Sequence, residues 1–230
     1  MNITIIYGQK HQGNTYNLSQ LFLKHLVDST SQVTEFFLPE TDLGYCVGCE
    51  NCFMKDEKIC LHATTVQKIA KALDCADLII IASACYVFGM TGQLKVLFDH
   101  FGYRFMAHRP EAAMFHKKAL VLTTAAGAGM NRVNKAVAFN LFMWGIARVY
   151  SYGLRIGAES FEKIPLKRQE KIKRAVRRMA NRILKDKVAV GLKTRVMFYF
   201  MRLNQKRNDW SEVDKAYWEK QGWLGKTKPY

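Results

Sequence analysis

Four of the chain's six cysteines lie in one short segment, GYCVGCENCFMKDEKIC, at residues 44–60. Two, two and seven residues separate them, at Cys46, Cys49, Cys52 and Cys60. Three thiolates two residues apart can wrap one face of a compact cluster, and a fourth at a flexible distance can close it. The spacing predicts a cysteine-ligated 4Fe–4S site, and tetrahedral zinc on the same ligands or a metal-free thiol loop are the alternatives.

The rest of the chain limits what these thiols can do. It has 230 residues with an apolar share of 49%, enough for one sizeable α/β domain with an addition. An apolar run at residues 3–7 begins it without a basic leader, and no apolar segment approaches the roughly 20 residues of a membrane span. We therefore expect a cytoplasmic protein without a transmembrane segment, in which clustered cysteines serve as metal ligands or redox groups rather than disulfides. Cys75 and Cys85 lie outside the cluster and are expected to be packing residues.

Apolar runs alternate with helical patterns over the first 160 residues. The predicted strands are residues 3–7, 32–38, 76–82, 118–125 and 150–157. The first predicted helix has Asn14 or Thr15 as its N-cap. Three further helices are predicted at residues 66–73, 92–101 and 132–149. This alternation indicates βαβ units and a doubly wound parallel sheet, with residues 1–160 as one domain.

The remaining residues, 161–230, are predicted to form a basic helical C-terminal extension. The net charge of the chain is +16, and residues 163–207 hold sixteen Lys or Arg against two acids. An amphipathic helix is predicted at 166–186 and a second helical stretch at 196–201. Three of the four tryptophans follow residue 209 and suggest an aromatic strap over this domain or over a partner subunit.

So much positive charge has four interpretations. Phosphate neutralisation would suit nucleic acid, yet no recognition-helix or zinc-finger pattern accompanies it, so no nucleic-acid partner is expected. A solvated helix face is the simplest interpretation. An acidic electron carrier such as ferredoxin would be steered to this charge, and an anionic membrane surface would also attract it.

Three loops follow predicted strands, at the sheet edge where open parallel sheets bind ligands. The first, YGQKHQGNTYNL, leads into a helix N-terminus that favours a phosphate, although it has neither the P-loop nor the dinucleotide fingerprint. The second, SACYVFG, carries Tyr86 and Phe88, which could face a flat ring or simply fill the core. The third, TTAAGAGMN, is small and Gly-rich, and could let backbone N–H groups reach a ring edge or form an ordinary tight turn.

The order of these motifs carries a resemblance. Gly8 and Gly13-Asn14-Thr15, the cysteine spacing, Ser83-x-x-Tyr86 with Leu94-Lys95 and Phe98-Asp99, and the Gly-rich loop resemble the flavodoxin-like NAD(P)H-dependent FMN reductases. Within them the iron–sulfur flavoprotein subgroup is most similar. The resemblance covers about residues 1–156 and implies a five-stranded sheet of order 2-1-3-4-5, bound FMN, NAD(P)H as electron donor and a homo-oligomer.

The resemblance also implies site residues. FMN would be held at its phosphate by the first loop and at its ring by the other two, through Gln9, His11, Asn14, Thr15, Ala84, Cys85, Tyr86, Val87, Thr124, Ala125, Gly127 and Gly129. No catalytic acid or base is expected, because the flavin does the chemistry. The chain departs from the family where Gln9-Lys10-His11 replaces Ser-Pro-Arg, so Lys10 or His11 must supply the cation, and where Ala84 replaces a proline.

These observations predict an FMN-dependent oxidoreductase. Electrons from NAD(P)H or a reduced carrier would pass through FMN to a small-molecule acceptor of the quinone type, or singly through a cluster. Two alternatives are a non-catalytic flavodoxin-type electron carrier, which the positive charge disfavours, and a regulatory or nucleic-acid-binding module on a flavodoxin scaffold.

Overall fold

In the computed structural model, which describes residues 1–230, five parallel strands form a single sheet. Their order is β2-β1-β3-β4-β5. The strands are β1 (Asn2–Tyr7), β2 (Gln32–Phe37), β3 (Leu78–Ala84), β4 (Lys118–Ala125) and β5 (Arg148–Arg155). The predicted flavodoxin-like topology, with the strand order 2-1-3-4-5, is confirmed.

The helices are α1 to α8 in chain order. Their bounds are α1 (Asn14–Leu26), α2 (Asn51–Met54), α3 (Ala63–Cys75), α4 (Gly92–His100), α5 (Met130–Met143), α6 (Leu166–Lys185), α7 (Leu192–Lys206) and α8 (Glu212–Lys220). Apolar residues of α3, α4 and α5 share one core with one face of the sheet, and those of α1 and α6 share a second core with the other. Both faces of β3 are thereby covered, which explains why its sequence is continuously apolar. Each helix is too short or too polar to cross a lipid bilayer.

Helix α6 confirms the amphipathic helix predicted at 166–186. Ile172, Val176, Ala180 and Ile183 are buried beside α1, so this basic helix completes one layer of the sandwich. Its far end is tied to the edge strand, because Asp186 accepts hydrogen bonds from Arg148 and Tyr150, both at 2.7 Å. The division of the chain at residue 160 stays a prediction.

Helices α7 and α8 form a third, smaller core. It contains Phe198, Trp218 and Trp223 together with Met106 and Phe115 from the main domain. The predicted aromatic strap therefore covers its own chain. Within it, residues Glu212–Lys220 form helix α8, which the sequence analysis did not predict.

The predicted helix at 132–149 was wrong at its end. Helix α5 stops at Met143, and β5 begins at Arg148. Gly145 has φ of +92°, and the N–H of Ile146 donates to the carbonyl of Leu141 at 3.1 Å, which closes the helix. Such a left-handed glycine is a common helix terminator, and the apolar residues beyond it continued the periodicity without continuing the helix.

Candidate functional site

Three loops meet at the carboxyl edge of the sheet, after β1, β3 and β4, and we call them together the three-loop site. Two hydrogen bonds donated by backbone N–H groups hold them in place. The N–H of Ala84 donates to Oε1 of Gln9 at 3.3 Å, and the N–H of Cys85 donates to the carbonyl of Thr124 at 2.9 Å. The structure therefore brings together the three segments that the sequence assigned to FMN.

The first loop presents polar atoms that lack partners. Gln9 is buried and its Nε2 has no hydrogen-bond partner, and the buried Oδ1 of Asn14 has none either. The N-cap of α1 is Gly13, without a side-chain bond, rather than the predicted Asn14 or Thr15. The first-turn N–H groups of α1 therefore have no capping side chain. A buried donor without a partner is costly, so these groups fit a polar ligand such as the phosphate and ribityl chain of FMN.

The two candidate cations of this loop differ in position. Lys10 Nζ lies 3.3 Å from Glu40 Oε1, and both side chains are exposed. His11 instead lies over the start of α1, since a Cβ on Gly13 would be 2.8 Å from its Nε2. Of the two, His11 is the one beside the helix N-terminus.

Thr15 and Thr124 join the first loop to the third. Their hydroxyl oxygens are 2.6 Å apart, and both residues are buried. The neighbouring Thr123 hydroxyl donates to Oδ1 of Asn134 at 2.6 Å, which anchors the end of β4 to α5. The floor of the three-loop site is therefore fixed by hydroxyl contacts between distant parts of the chain.

The second loop is a tight hairpin with an exposed tip. Tyr86 and Gly89 exchange both backbone hydrogen bonds, at 3.0 and 2.9 Å, and between them Val87 and Phe88 have φ of 50° and 59°. Two successive left-handed residues are typical of a two-residue hairpin turn, but valine rarely adopts that conformation. Val87 is 98% exposed, and Tyr86 and Phe88 are more than half exposed. The interpretation of Tyr86 and Phe88 as core residues is therefore wrong, and their surface is available to a ring.

The third loop packs against the second. Gly129 has φ of +102°, and a Cβ there would lie 2.5 Å from the sulfur of Cys85, whose thiol donates to the carbonyl of Ala128 at 3.6 Å. Gly127 is different, because a Cβ on it would meet no atom within 4 Å. The third loop, which begins after Ala125 at the end of β4, therefore has open space beside Gly127.

The four clustered cysteines line one small cavity of about 60 Å³, here called the cysteine cavity. Burial, together with the neighbouring thiols of Cys46 and Cys60, raises the pKa of Cys52 to about 11. Sγ of Cys60 lies 4.0 Å from Nδ1 of the buried His100. All four clustered cysteines therefore line the same cavity.

These residues fit a cluster in chemistry and number of donors. Four thiols and an apolar lining are what a cysteine-ligated iron–sulfur cluster requires. As arranged in the structure, no three His, Cys, Asp or Glu side chains converge in the geometry of a single-ion site. All six cysteines are free thiols.

Helix α4 connects the two sites. Its N-cap, Thr91, follows the second loop and holds Ser83 through its backbone N–H at 3.2 Å, whereas its last residue, His100, borders the cysteine cavity. At 1.5 Å per residue the two ends are about 13 Å apart. The cavity therefore lies at the end of α4 away from the second loop, roughly one helix length from it.

Sequence reasoning missed several residues around the cysteine cavity. His62 and His100 line it, and Nε2 of His100 is 3.1 Å from the carbonyl oxygen of Gly44. Arg109 donates to the carbonyl of Cys52 and pairs with Asp214 of α8. Only the position of His100 at a predicted helix end gave any signal, because the other contacts join segments far apart in sequence.

Comparison with known proteins identifies the family. Residues 1–153 match the sequence pattern described as NADPH-dependent FMN reductase. The chain belongs to the NADPH-dependent FMN reductase family. Members of this family are FMN-dependent oxidoreductases with NAD(P)H as donor, so the predicted enzyme class and cofactor are confirmed.

Relatives of this FMN reductase agree with that assignment. An "Iron-sulfur flavoprotein" from Archaeoglobus fulgidus is 27% identical over 176 residues, which cover 70% of this chain and 74% of that protein. Among solved structures, an NAD(P)H:quinone oxidoreductase from Methanothermobacter marburgensis has a TM-score of 0.63 at 14% identity, covering 81% of this chain and 96% of that one. An FMN-dependent NADH-azoreductase from Bacillus anthracis, in complex with FMN, has a TM-score of 0.61 at 13% identity, covering 80% and 99%. At such identities the structural likeness shows the fold alone.

Proposed function

We propose that this FMN reductase is an iron–sulfur flavoprotein that moves electrons from NAD(P)H, through FMN in the three-loop site, to an external acceptor. The observation that carries this proposal is the pair of buried, partnerless polar atoms, Gln9 Nε2 and Asn14 Oδ1, beside the uncapped start of α1. The free Gln9 donor and the uncapped N–H groups of α1 favour a phosphorylated ligand at this edge of the sheet, and the Asn14 oxygen can accept from a hydroxyl group of that ligand.

The loops divide the work of holding FMN. In the first, Gln9, His11, Asn14 and Thr15 would bind the phosphate and its chain. On the second, the exposed aromatic and apolar tip would contact the ring through Ala84, Cys85, Tyr86 and Val87. Along the other ring edge would lie Thr124, Ala125, Gly127 and Gly129. FMN, when bound, supplies the redox chemistry, and the protein positions it and shields it from water.

The cysteine cavity would hold the iron–sulfur cluster. Cys46, Cys49, Cys52 and Cys60 are its ligands in this proposal, supported by their shared cavity and by the curated relative named iron-sulfur flavoprotein. Cys52 and Cys60 would hold the cluster on its protein side, whereas the exposed Cys46 and Cys49 would hold it on the solvent side.

The acceptor is proposed to be a small quinone-like molecule or an acidic electron carrier such as ferredoxin. Charge supports the carrier, because eight of the twelve exposed residues of α6 are Lys or Arg, with Lys171, Arg174 and Arg178 among them. Opposite charge would speed encounter and orient the partner. A cytoplasmic location remains part of the proposal.

A homo-oligomer is also proposed. Val196, Tyr199 and Phe200 lie on α7 and are each more than half exposed, which is a large apolar area for one short helix. Apolar surface of this kind often marks an interface.

Titration with FMN tests the proposal. The metal-free, flavin-free protein should quench FMN fluorescence and bind about one FMN per chain, and Gln9→Ala should weaken binding about tenfold, as expected for loss of one buried hydrogen bond. Lys24→Ala, on an exposed face of α1, is the control and should bind as the unchanged chain does. A protein that ignores added FMN would contradict the proposal.

A further inference from the structure

The cysteine segment has little regular structure of its own. Within residues 44–60 it contains only the single-turn helix α2 and a 3-10 turn at Glu57–Ile59, and residues 44–50 are exposed. Gly44, Gly48 and Glu50 all have φ near +60°, a conformation that costs free energy for the glutamate. Such a segment needs contacts from elsewhere in the fold to keep its ligands in place.

Those contacts come from Arg109, in the loop between α4 and β4. Its guanidinium is buried and donates to the carbonyl oxygens of Cys52 and Phe53, the latter at 3.5 Å. The same group pairs with Glu57 at 3.2 Å. The planar guanidinium of Arg109, with its five N–H donors, thus binds the backbone at the third cysteine.

Arg109 is itself held by the C-terminal extension. Asp214, in the first turn of α8, is fully buried, and its Oδ1 lies 2.5 Å from Nη1 of Arg109. Its other oxygen lies 2.7 Å from Nδ1 of His108. A buried carboxylate placed between two basic groups holds both in position.

Ser211 adds a direct bond to the same segment. Its hydroxyl donates to the carbonyl of Phe53 at 3.0 Å, and it accepts the N–H of Asp214 at 3.2 Å as the N-cap of α8. The centre of the Phe53 ring lies 4.6 Å from the centre of the His108 ring and 6.0 Å from that of Trp210. The start of α8 therefore contacts the cysteine segment directly through the Ser211 hydroxyl and the Trp210 ring, and indirectly through the ion pair of Asp214 with Arg109.

Helix α8 has its own anchors on the main domain. Trp218 Nε1 donates to the carbonyl of His108 at 2.5 Å, and the Tyr217 hydroxyl donates to that of Pro110 at 2.7 Å. Trp218 is also stacked on Phe198 of α7, with ring centres 5.0 Å apart. The extension thus packs on, and is hydrogen-bonded to, the loop that carries Arg109.

We propose that the C-terminal extension is a positioning element for the iron–sulfur ligands. Asp214 acts through Arg109, and Ser211 acts directly, to hold Cys52 and its neighbours at the cysteine cavity. The iron-related part of this inference rests on the proposed function, whereas the effect on the thiols of the metal-free protein does not. Asp214 and Ser211 are positioning residues and touch no cofactor site.

Thiol alkylation of the metal-free, full-length protein tests this inference. The rate of Cys52 modification by iodoacetamide, read by mass spectrometry, is divided by the rate for Cys75, an exposed thiol at the last residue of α3. Asp214→Asn should raise this ratio about tenfold, because it removes the charge that holds Arg109. Asp209→Asn, at an exposed acid just before α8, is the matched control and should leave the ratio unchanged.

Ser211→Ala removes a single hydroxyl and gives a second variant if the aspartate variant folds poorly. It should raise the ratio about threefold, as expected for one hydrogen bond. An unchanged ratio in both folded variants, or equal acceleration of Cys52 and Cys75, would overturn the inference in favour of a role in general stability. After anaerobic purification Asp214→Asn should retain FMN binding and lose iron. Since alkylation needs neither FMN nor iron, a protein that bound neither would contradict the proposed function and leave this test standing.

Discussion

The hydroxyl oxygens of Thr15 and Thr124 lie 2.6 Å apart, although 109 residues separate them in the chain. This contact joins the helix start that faces the proposed phosphate to the strand end that faces the proposed ring. The two parts of the proposed FMN site are therefore joined directly by a contact between two hydroxyl groups.

Removing one of these hydroxyls should weaken FMN binding. Thr15→Val keeps the shape of the side chain and leaves the Thr124 hydroxyl without its partner, so we expect FMN affinity to fall about tenfold and stability by about 1 kcal/mol. Fluorescence titration and thermal melting measure the two effects. Thr34→Val, on the exposed edge strand β2, is the control, and equal FMN affinity in both variants would argue against a role of Thr15 in the site.

Two glycines of the third loop should respond differently to alanine. Gly129→Ala places a Cβ against Cys85 at a left-handed φ, so the variant should lose about 1–3 kcal/mol of stability even without flavin. Gly127→Ala places its Cβ in open space and should leave the flavin-free protein unaffected.

FMN binding separates these two effects. If the open space at Gly127 belongs to the cofactor, Gly127→Ala should weaken FMN binding without changing the melting temperature of the flavin-free protein. Unaltered FMN affinity in a folded Gly127→Ala variant would place the ring elsewhere.

The proposed ligands of the cysteine cavity can be tested by measuring the iron content of variants with one cysteine replaced. Serine at any of Cys46, Cys49, Cys52 or Cys60 should remove most iron and labile sulfide from anaerobically purified protein, because each supplies one ligand in the proposal. Serine at Cys75 should change neither, since this thiol lies at the far end of α3. Zinc without sulfide would instead support the single-ion alternative.

If the basic face of α6 binds an acidic electron carrier, the rate of electron transfer to that carrier should depend on salt. Replacing Lys171, Arg174 and Arg178 with glutamine should slow reduction of an acidic ferredoxin about tenfold at low ionic strength, and added salt should diminish the difference. Reduction of a small neutral quinone should not change. The double substitution of Lys68 and Lys71 on α3 is the control, and equal slowing there would indicate a general charge effect.

Much of the fold could be predicted because its signals are local. The apolar run at 118–125 became β4 without a shift, and the runs assigned to β3 and β5 moved by two residues. The end of α5 was missed because one residue, Gly145, leaves the helical conformation while the apolar pattern continues.

The meeting of the three candidate loops at one sheet edge could be predicted for the same reason. Polar and Gly-rich segments after strands mark a ligand edge, so the three loops could be assigned from the sequence. The pairing of Arg109 with Asp214 could not, because it joins residues 105 positions apart with no pattern to link them. Helix α8 was missed because its buried side, with Asp214 and Trp218, mixes charge with aromatic surface.

Anaerobic reduction of the FMN-loaded protein by NADH or NADPH tests the central claim most directly. The flavin absorption band should bleach on addition of one of the two nucleotides and return on addition of a quinone, with turnover on further nucleotide. A flavin band that neither nucleotide changes, or a protein that binds no FMN at all, would contradict the account.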